Sequence, residues 1–391
     1  MEWKVEPLGD IAFMTSGGTP NSKISAYYEN GTIPWVRSGE LENGAIRDTE
    51  IKITQAGLDN SSAKIFPKGT LLIALYGATI GKLAYLDIDA CTNQAVCGIF
   101  ENDNVSLKYL YYFLLFHRPD LVKQGVGGAQ SNISQTILKK LMVSYPVDKA
   151  EQLRIVARIE ELFSELDNGV ETLRKTKQQL AVYRQAVLKD TFSGCEKHVS
   201  VSSVCTHVTD GDHMPPPKAA SGIPFIMISN IDGNQIDFSE TAFVGRDYYE
   251  NIDSKRRPQV GDVLYSVTGS FGIPVLVDFE KEFCFQRHIA LLRPNDSILS
   301  RYLYYAMQDP NVYAQASKGA TGTAQKTVGL TVLRKIMIPY TESKSEQEVV
   351  VRDIENKMSV CDSIEKTVDT ALRQAEAMRQ SILKQAFEGR L

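Results

Sequence analysis

The sequence predicts an α/β (mixed α+β) chain in which two similar domains are joined by two long antiparallel coiled-coil helices, with a pseudo-two-fold internal repeat. Three observations predict it. The chain repeats itself: Val187-Leu188-Lys189-Asp190-Thr191-Phe192-Ser193-Gly194 returns as Ile382-Leu383-Lys384-Gln385-Ala386-Phe387-Glu388-Gly389, an offset of 387 − 192 = 195 in a chain of 391 residues. The same offset carries Ala129-Gln130 onto Ala324-Gln325 and Glu151-Gln152 onto Glu346-Gln347. Ile159, Leu166, Leu173, Leu180 and Val187 recur every seventh residue, which is a heptad seam. Ile354, Cys361, Val368, Ala375 and Ile382 repeat that seam 195 residues later. Outside the seams lie short apolar runs that end at a glycine, Thr70–Tyr76 before Gly77 and Asp262–Val267 before Gly269, as buried strands bounded by turns do.

The elements follow in order. Residues 1–146 form a first mixed domain, with one helical stretch marked by Tyr109-Leu110-Tyr111-Tyr112. Residues 147–196 form a helical spacer. Between Asp148 and Thr191 there is no proline, and Gly169 is the one glycine. Val156, Phe163 and Val170 form a second apolar row, which Lys177 and Arg184 end. About 40 helical residues span roughly 60 Å. Residues 197–340 form the second domain, with Tyr302-Leu303-Tyr304-Tyr305 on its helix, and 341–391 the second spacer. Neither helix buries its stripe alone, and each has the other as partner. Because each helix leaves its own domain in the same way, a two-fold makes the pair antiparallel and puts the domains at opposite ends. The weaker second seam, with Cys361 and Ala375, predicts close helix approach or apolar contacts shared with another protein.

Composition narrows the function. A chain of 391 residues exceeds one ordinary core. Hydrophobic content of 43% with 23% charged is that of a globular protein. No apolar run reaches the ~18–20 residues of a membrane span. Met1-Glu2-Trp3-Lys4-Val5-Glu6-Pro7 lacks the basic and apolar regions of a signal peptide. The six cysteines show no zinc spacing and read as reduced thiols of a cytoplasmic protein. A two-fold chain suits a two-fold or bipartite target, of which duplex DNA is the commonest. Yet the net charge is −4, with 13 basic and 14 acidic residues in 1–146 and 14 of each in 197–340. A stand-alone DNA binder usually carries a positive field. Either the cations are clustered, or a partner supplies much of the phosphate binding.

No catalytic constellation stands out, and no metal site. Neither an amino-methyltransferase motif nor a glycine-rich S-adenosylmethionine motif after a strand is present. Gly77-Ala78-Thr79-Ile80-Gly81-Lys82-Leu83 imitates a phosphate loop, but it is one residue short and lacks Ser or Thr after the lysine. It reads better as a tight turn. His207, Asp210, Asp212 and His213 imitate a metal site, but the segment reads more simply as a polar loop running into Pro215-Pro216-Pro217. What remains are polar, glycine-punctuated loops in matching places. Small residues let a backbone approach a ligand, and Gln, Asn, Ser and Thr bond base edges or phosphates.

The order domain, coil, domain, coil resembles the specificity subunit of a type I restriction–modification system, and the resemblance covers the whole chain. It rests on Pro7-Leu8-Gly9-Asp10-Ile11-Ala12, on Ile33-Pro34-Trp35-Val36-Arg37 and Ile223-Pro224-Phe225-Ile226-Met227, and on the Gly127-Gly128-Ala129-Gln130-Ser131-Asn132 loop. It rests also on the helix starts at Glu151-Gln152-Leu153 and Glu346-Gln347-Glu348, and on the helix ends at Arg184-Gln185-Ala186 and Leu383-Lys384-Gln385. The resemblance implies a non-catalytic chain. Each domain is then a target-recognition domain reading one half of a gapped double-stranded DNA site, and the coils dock two adenine methyltransferase subunits. S-adenosylmethionine, ATP and magnesium belong to partner subunits, the restriction subunits among them. A specificity chain of a related DNA-modification defence system, or a protein-binding scaffold of the same fold, is the alternative.

The candidate DNA-binding residues of the first domain are Thr15, Ser16, Thr19, Arg37, Ser38, Thr79, Lys82, Gln130, Ser131 and Asn132. Those of the second are Asp212, His213, Ser229, Asn230, Thr268, Ser270, Arg287, Thr323, Gln325 and Lys326. Arg37 and Arg287 are candidates for bidentate contact with guanine, or for salt bridges at the core edge. Lys82 and Lys326 are phosphate candidates. The two sets differ, which predicts an asymmetric site with unlike halves.

Overall fold

Glycine-bounded apolar runs become central strands. The computed structural model describes residues 2–124, 132–213, 216–323 and 325–391. In it Leu71–Ala74 and Val263–Ser266 are buried along their whole length. Gly69, Gly77, Gly261 and Gly269, all at positive φ, turn the chain at their ends, a backbone region glycine enters without steric cost.

The chain forms two units, Met1–Thr172 with Thr370–Leu391, and Leu173–Asp369. The first contains β1 (Trp3–Pro7), β2 (Met14–Ser16), β3 (Ile33–Val36), β4 (Gly44–Ile46), β5 (Lys52–Ile53), β6 (Ile65–Phe66), β7 (Leu71–Ala74), β8 (Leu83–Leu86), β9 (Ala90–Thr92), β10 (Val96–Ile99) and β11 (Met142–Pro146). They pair as sheets β2-β10-β7-β8-β4, β5-β3-β9-β6 and β1-β11. Helix α1 (Leu107–Gln124) packs Tyr109, Leu110, Phe113 and Leu114 into the core.

The second unit contains β12 (His198–Ser200), β13 (Cys205–Asp210), β14 (Ile223–Ile226), β15 (Ile231–Asp232), β16 (Gln235–Ile236), β17 (Ala242–Val244), β18 (Val263–Ser266), β19 (Pro274–Leu276), β20 (Cys284–Phe285), β21 (Ile289–Pro294) and β22 (Met337–Pro339). The sheets β13-β21-β18-β19, β17-β14-β20 and β12-β22 repeat the connectivity of the first unit. That unit adds β4 and β6 at sheet edges, and the second adds the hairpin β15-β16.

The long helices are α2 (Lys149–Ser193) and α5 (Lys344–Phe387); α3 (Ser300–Ala306) and α4 (Pro310–Gly319) precede α5. Both units use both long helices. In the first, Ile155, Val156, Ile159 and Phe163 of α2 join Leu383 and Ala386 of α5 in one core with Leu8 and Tyr109. The Phe387 ring meets Tyr109 edge-on at 5.4 Å and Phe113 at 5.3 Å. In the second, Leu188 and Phe192 of α2 join Val351 and Ile354 of α5, with Val201 and Tyr302. The sequence divides at 146, 196 and 340, where its periodicity changes, whereas the core of each unit takes the start of one helix and the end of the other.

Within each unit the two helix segments run antiparallel. In the second unit Lys177 meets Asp369 at 2.8 Å, and Arg184 meets Asp362 at 2.7 Å and Glu365 at 2.8 Å. In the first, Arg379 pairs with Asp167 and lies over the Phe163 ring at 4.9 Å. Arg379 is Arg184 moved by 195, and Asp362 is Asp167 moved by 195. Ile159, Leu180, Val187, Ile354, Cys361, Val368 and Ala375 are buried; Leu166, Leu173 and Ile382 are half-buried. Lys177 and Arg184, which end the apolar row of α2, face carboxylates of α5.

One residue fixes each helix to its domain. Gln152 is fully buried. Its Oε1 accepts from Ser106 N at 2.8 Å, and its Nε2 donates to Asn104 O and Pro146 O at 3.0 and 2.8 Å. Gln347, equally buried, accepts from Leu299 N at 2.8 Å and donates to Ser297 O and Thr341 O at 3.0 and 2.8 Å. Among the described residues no helix is long and apolar enough to cross a membrane.

Candidate nucleic-acid interface

Most of the described candidate residues lie toward one end of each main sheet, on a backbone frame built twice. After β2 the chain reaches Gly17, where a Cβ would lie 2.0 Å from Thr92 O. Gly18 N donates to Thr92 O at 2.9 Å, and Asn93 N to Val36 O at 2.9 Å. Val96 N then donates to Asn93 O at 3.1 Å, closing a turn with Gln94 and Ala95 at its tip. Leu75 N bonds Ala95 O, and Ile133 N bonds Leu75 O, both at 2.8 Å.

After β13 the chain reaches Gly211, where a Cβ would lie 2.0 Å from Phe285 O. Asp212 N donates to Phe285 O at 3.2 Å, Gln286 N to Ile226 O at 3.0 Å, and Ile289 N to Gln286 O at 3.1 Å. Val267 N bonds His288 O at 2.9 Å and Val328 N bonds Val267 O at 2.8 Å. By these bonds Gly18 matches Asp212 and Gln94 matches Arg287, whose own N–H adds a bond to Asp212 O at 3.1 Å.

In the first unit this frame gathers Thr15, Ser16 and Thr19. Lys64 Nζ donates to Thr15 Oγ1 at 3.1 Å and Gln135 Nε2 to Ser16 Oγ at 2.7 Å. The Thr19 hydroxyl donates to the Gln94 amide oxygen. Asn132, exposed, bridges to Tyr76 beside the same strand end. Thr79 and Lys82 sit on the connection from β7 to β8, where Lys82 N bonds Thr79 O at 2.9 Å and Gly81 N bonds Ala74 O at 2.8 Å. This joins two antiparallel strands with no helix after it, so the lysine-bearing loop is a hairpin turn. Half-buried Ser38 follows β3, whose Val36 O anchors Asn93. Gln130 and Ser131 lie outside the described residues. The Arg37 guanidinium pairs with Glu40 at 3.5 Å and with Glu50, the core-edge salt bridge that stood beside guanine contact as its alternative.

In the second unit Thr321 and Thr327 pair with each other. Thr321 N donates to Thr327 O at 2.9 Å and Thr327 N to Thr321 O at 2.7 Å. Gly269 N bonds Lys326 O at 3.0 Å, which brings exposed Thr323, Gln325 and Lys326 beside exposed Ser270. Arg287 is exposed and forms no ion pair among the described residues. Asp212 accepts from the Tyr248 hydroxyl; burial raises the Tyr248 phenol's pKa, and the Asp212 carboxylate raises it further. His213, exposed, meets Asp210 at 2.8 Å, and Arg256 lies 3.7 Å from the same carboxylate. Burial and then the Arg287 cation hold the His288 imidazole below its ordinary pKa, so it is neutral at pH 7.

Two candidates here are structural. Asn230 is 5% exposed; its Oδ1 accepts from Met227 N and its Nδ2 donates to Glu240 O, both at 3.0 Å. Both bonds go to backbone groups, and burial shields what remains of the amide from solvent. Glu40 performs the same task in the first unit, accepting from Arg37 N at 3.0 Å and Glu50 N at 3.1 Å. Thr268 is 8% exposed and accepts from Thr327 Oγ1 at 3.3 Å. Ser229, next to Asn230, is exposed. Sequence reading missed Gln94, Lys64, Gln135 and His288. No sequence signal marks Gln94, because Thr92-Asn93-Gln94-Ala95 and Phe285-Gln286-Arg287-His288 share no residue at matching positions and are matched only by their backbone bonds. Among the described residues no group of three or more His, Cys, Asp or Glu side chains is placed to hold a metal ion.

Comparison with known proteins identifies the class. A family model for the type I restriction modification DNA specificity domain matches residues 1–180 and 214–374. The type I restriction enzyme EcoKI specificity subunit of Escherichia coli K12 is 22% identical, over 100% of this chain and 89% of its own length. The StySPI specificity subunit of Salmonella potsdam is 24% identical with the same coverage. A solved chain concerned with complex assembly and conformational transition of the type I R-M system superposes with a TM-score of 0.77. It is 18% identical, over 100% of this chain and 98% of that one, a likeness of fold. The chain belongs to the type I restriction–modification specificity subunits, a family of non-catalytic chains whose catalysis lies in partner subunits.

Proposed function

We propose that this chain reads a bipartite, gapped site on double-stranded DNA, one half through each α/β domain, and docks two adenine methyltransferase subunits along its long helices. The observation that carries this reading is the frame built twice. Closely matching backbone bonding around Gly17 and Gly211, to which the second unit adds Arg287 N to Asp212 O, presents unlike side chains, as two readers of unlike half-sites require. The even balance of charge within each domain leaves much of the phosphate neutralisation to the partners. S-adenosylmethionine then sits on the methyltransferase subunits, and ATP and magnesium serve the restriction subunits of the full complex. The setting is the cytoplasm, where the DNA is.

The chain is tested with its cognate methyltransferase by co-expression, isolation of the complex and long-read mapping of modified adenine. One gapped, asymmetric motif is the expected result, with two methyltransferase subunits per specificity chain. An ungapped or palindromic motif overturns the reading of two unlike domains. Protein assembly without modified DNA favours a protein-binding scaffold instead.

A further inference from the structure

We infer that Gln94 and Arg287 are equivalent base-reading positions, with Arg287 selecting a guanine in one half-site and Gln94 an adenine in the other. This rests on the two-domain reading above and deepens it. Each residue follows the first residue of a turn closed by one backbone bond, Val96 N to Asn93 O and Ile289 N to Gln286 O, both 3.1 Å. Each turn is tied on one side to the neighbouring sheet and on the other to the end of β7 or β18. The backbone is held, and the side chain at the tip is exposed.

The rival candidates fall away on structural grounds. Arg37 is held by two carboxylates, and Asn230 and Thr268 are buried. Arg287 is exposed and has no carboxylate partner among the described residues, while its backbone N–H is held by Asp212 O at 3.1 Å. A guanidinium fork matches O6 and N7 of guanine, and a carboxamide matches N6 and N7 of adenine. The Thr19 hydroxyl fixes the Gln94 amide oxygen, which keeps a second lone pair for the adenine amino group while the amide nitrogen faces N7. Lys326, on the loop bonded to Gly269, stands beside the second turn as a phosphate contact. Lys64, bonded to Thr15, stands on the β2 side of the first.

The experiment uses the full chain with its methyltransferase, mapping modified adenine for the wild type, R287A, Q94A and Q94R. R287A is expected to lose about tenfold or more of the preference for one guanine and to leave the other half-site unchanged. Q94A does the same to one adenine in the opposite half, and Q94R moves that preference toward guanine. Unchanged motifs in both alanine variants, or relaxation of the same half by both, overturn the assignment. A separate measurement reads the salt dependence of binding. K326A lowers the slope by about 1 and R287A leaves it nearly unchanged; a lower slope with intact guanine preference makes Arg287 a phosphate contact and overturns the assignment. If the wild type yields no gapped motif, the two-domain reading fails first, independently of the variants.

Discussion

At the start of each long helix a buried glutamine makes the same three bonds to its domain, whereas at the tip of each sheet turn the first domain carries Gln94 and the second Arg287. The two positions differ in what a substitution leaves behind. Removing Gln152 or Gln347 strands backbone groups with no water to turn to, so chemistry and position are both dictated. A tip residue has solvent as its alternative partner, so the frame tolerates any side chain there. The molecule is repetitive where its side chains are bonded internally and dissimilar where they face solvent.

That comparison can be broken at several depths. The largest effect belongs to the helix seams: Ile159→Ala and Ile354→Ala, both at fully buried positions, are each expected to cost ~2–5 kcal/mol in urea unfolding followed by circular dichroism. A large loss for one and none for the other denies the helices equivalent packing. Gln152→Ala and Gln347→Ala each orphan a backbone N–H and two carbonyls. At ~1–3 kcal/mol for an unsatisfied buried group, the two losses should be substantial and alike. Gly17→Ala and Gly211→Ala drive a methyl into a carbonyl oxygen and are expected to cost ~1–3 kcal/mol, with weakened DNA binding in each case. A silent variant at either glycine shows that the frame is adaptable.

The smallest effect is the most discriminating. Arg184→Ala and Arg379→Ala each remove a half-buried arginine's ion pairing, worth ~0.5–1 kcal/mol. Arg184 relies on two carboxylates, so high salt should erase most of its contribution. Arg379 has one carboxylate and the Phe163 ring, and the ring contact persists in salt. Equal salt sensitivity of the two variants would remove this distinction.

Much of this was legible in the sequence. The strands Leu71–Ala74 and Val263–Ser266 follow from apolar runs closed by glycine, and the helices from heptads that agree at one offset. The tips were harder because the offset drifts. It is 195 in the helices but 287 − 94 = 193 at the turns and 226 − 36 = 190 at β3 and β14. A fixed offset therefore never set Gln94 against Arg287. Arg37 looked available because its partner Glu50 is brought near by the pairing of β3 with β5. Asn230 looked polar and exposed because nothing local reveals that a one-turn helix buries it. The discontinuous units were equally hidden, since periodicity marks where a helix begins and not whose core it completes.

That discontinuity gives the chain a schedule. The second unit, Leu173–Asp369, is contiguous and is fully synthesised before the first unit has received Leu383, Ala386 and Phe387. At ~5–20 residues per second, the ribosome takes roughly 10–40 s to cross the 370 − 172 = 198 positions separating the two parts of the first unit. The unit begun first is completed after the second, and a nonsense codon near residue 380 would strip side chains from a core encoded mostly roughly 200 codons upstream.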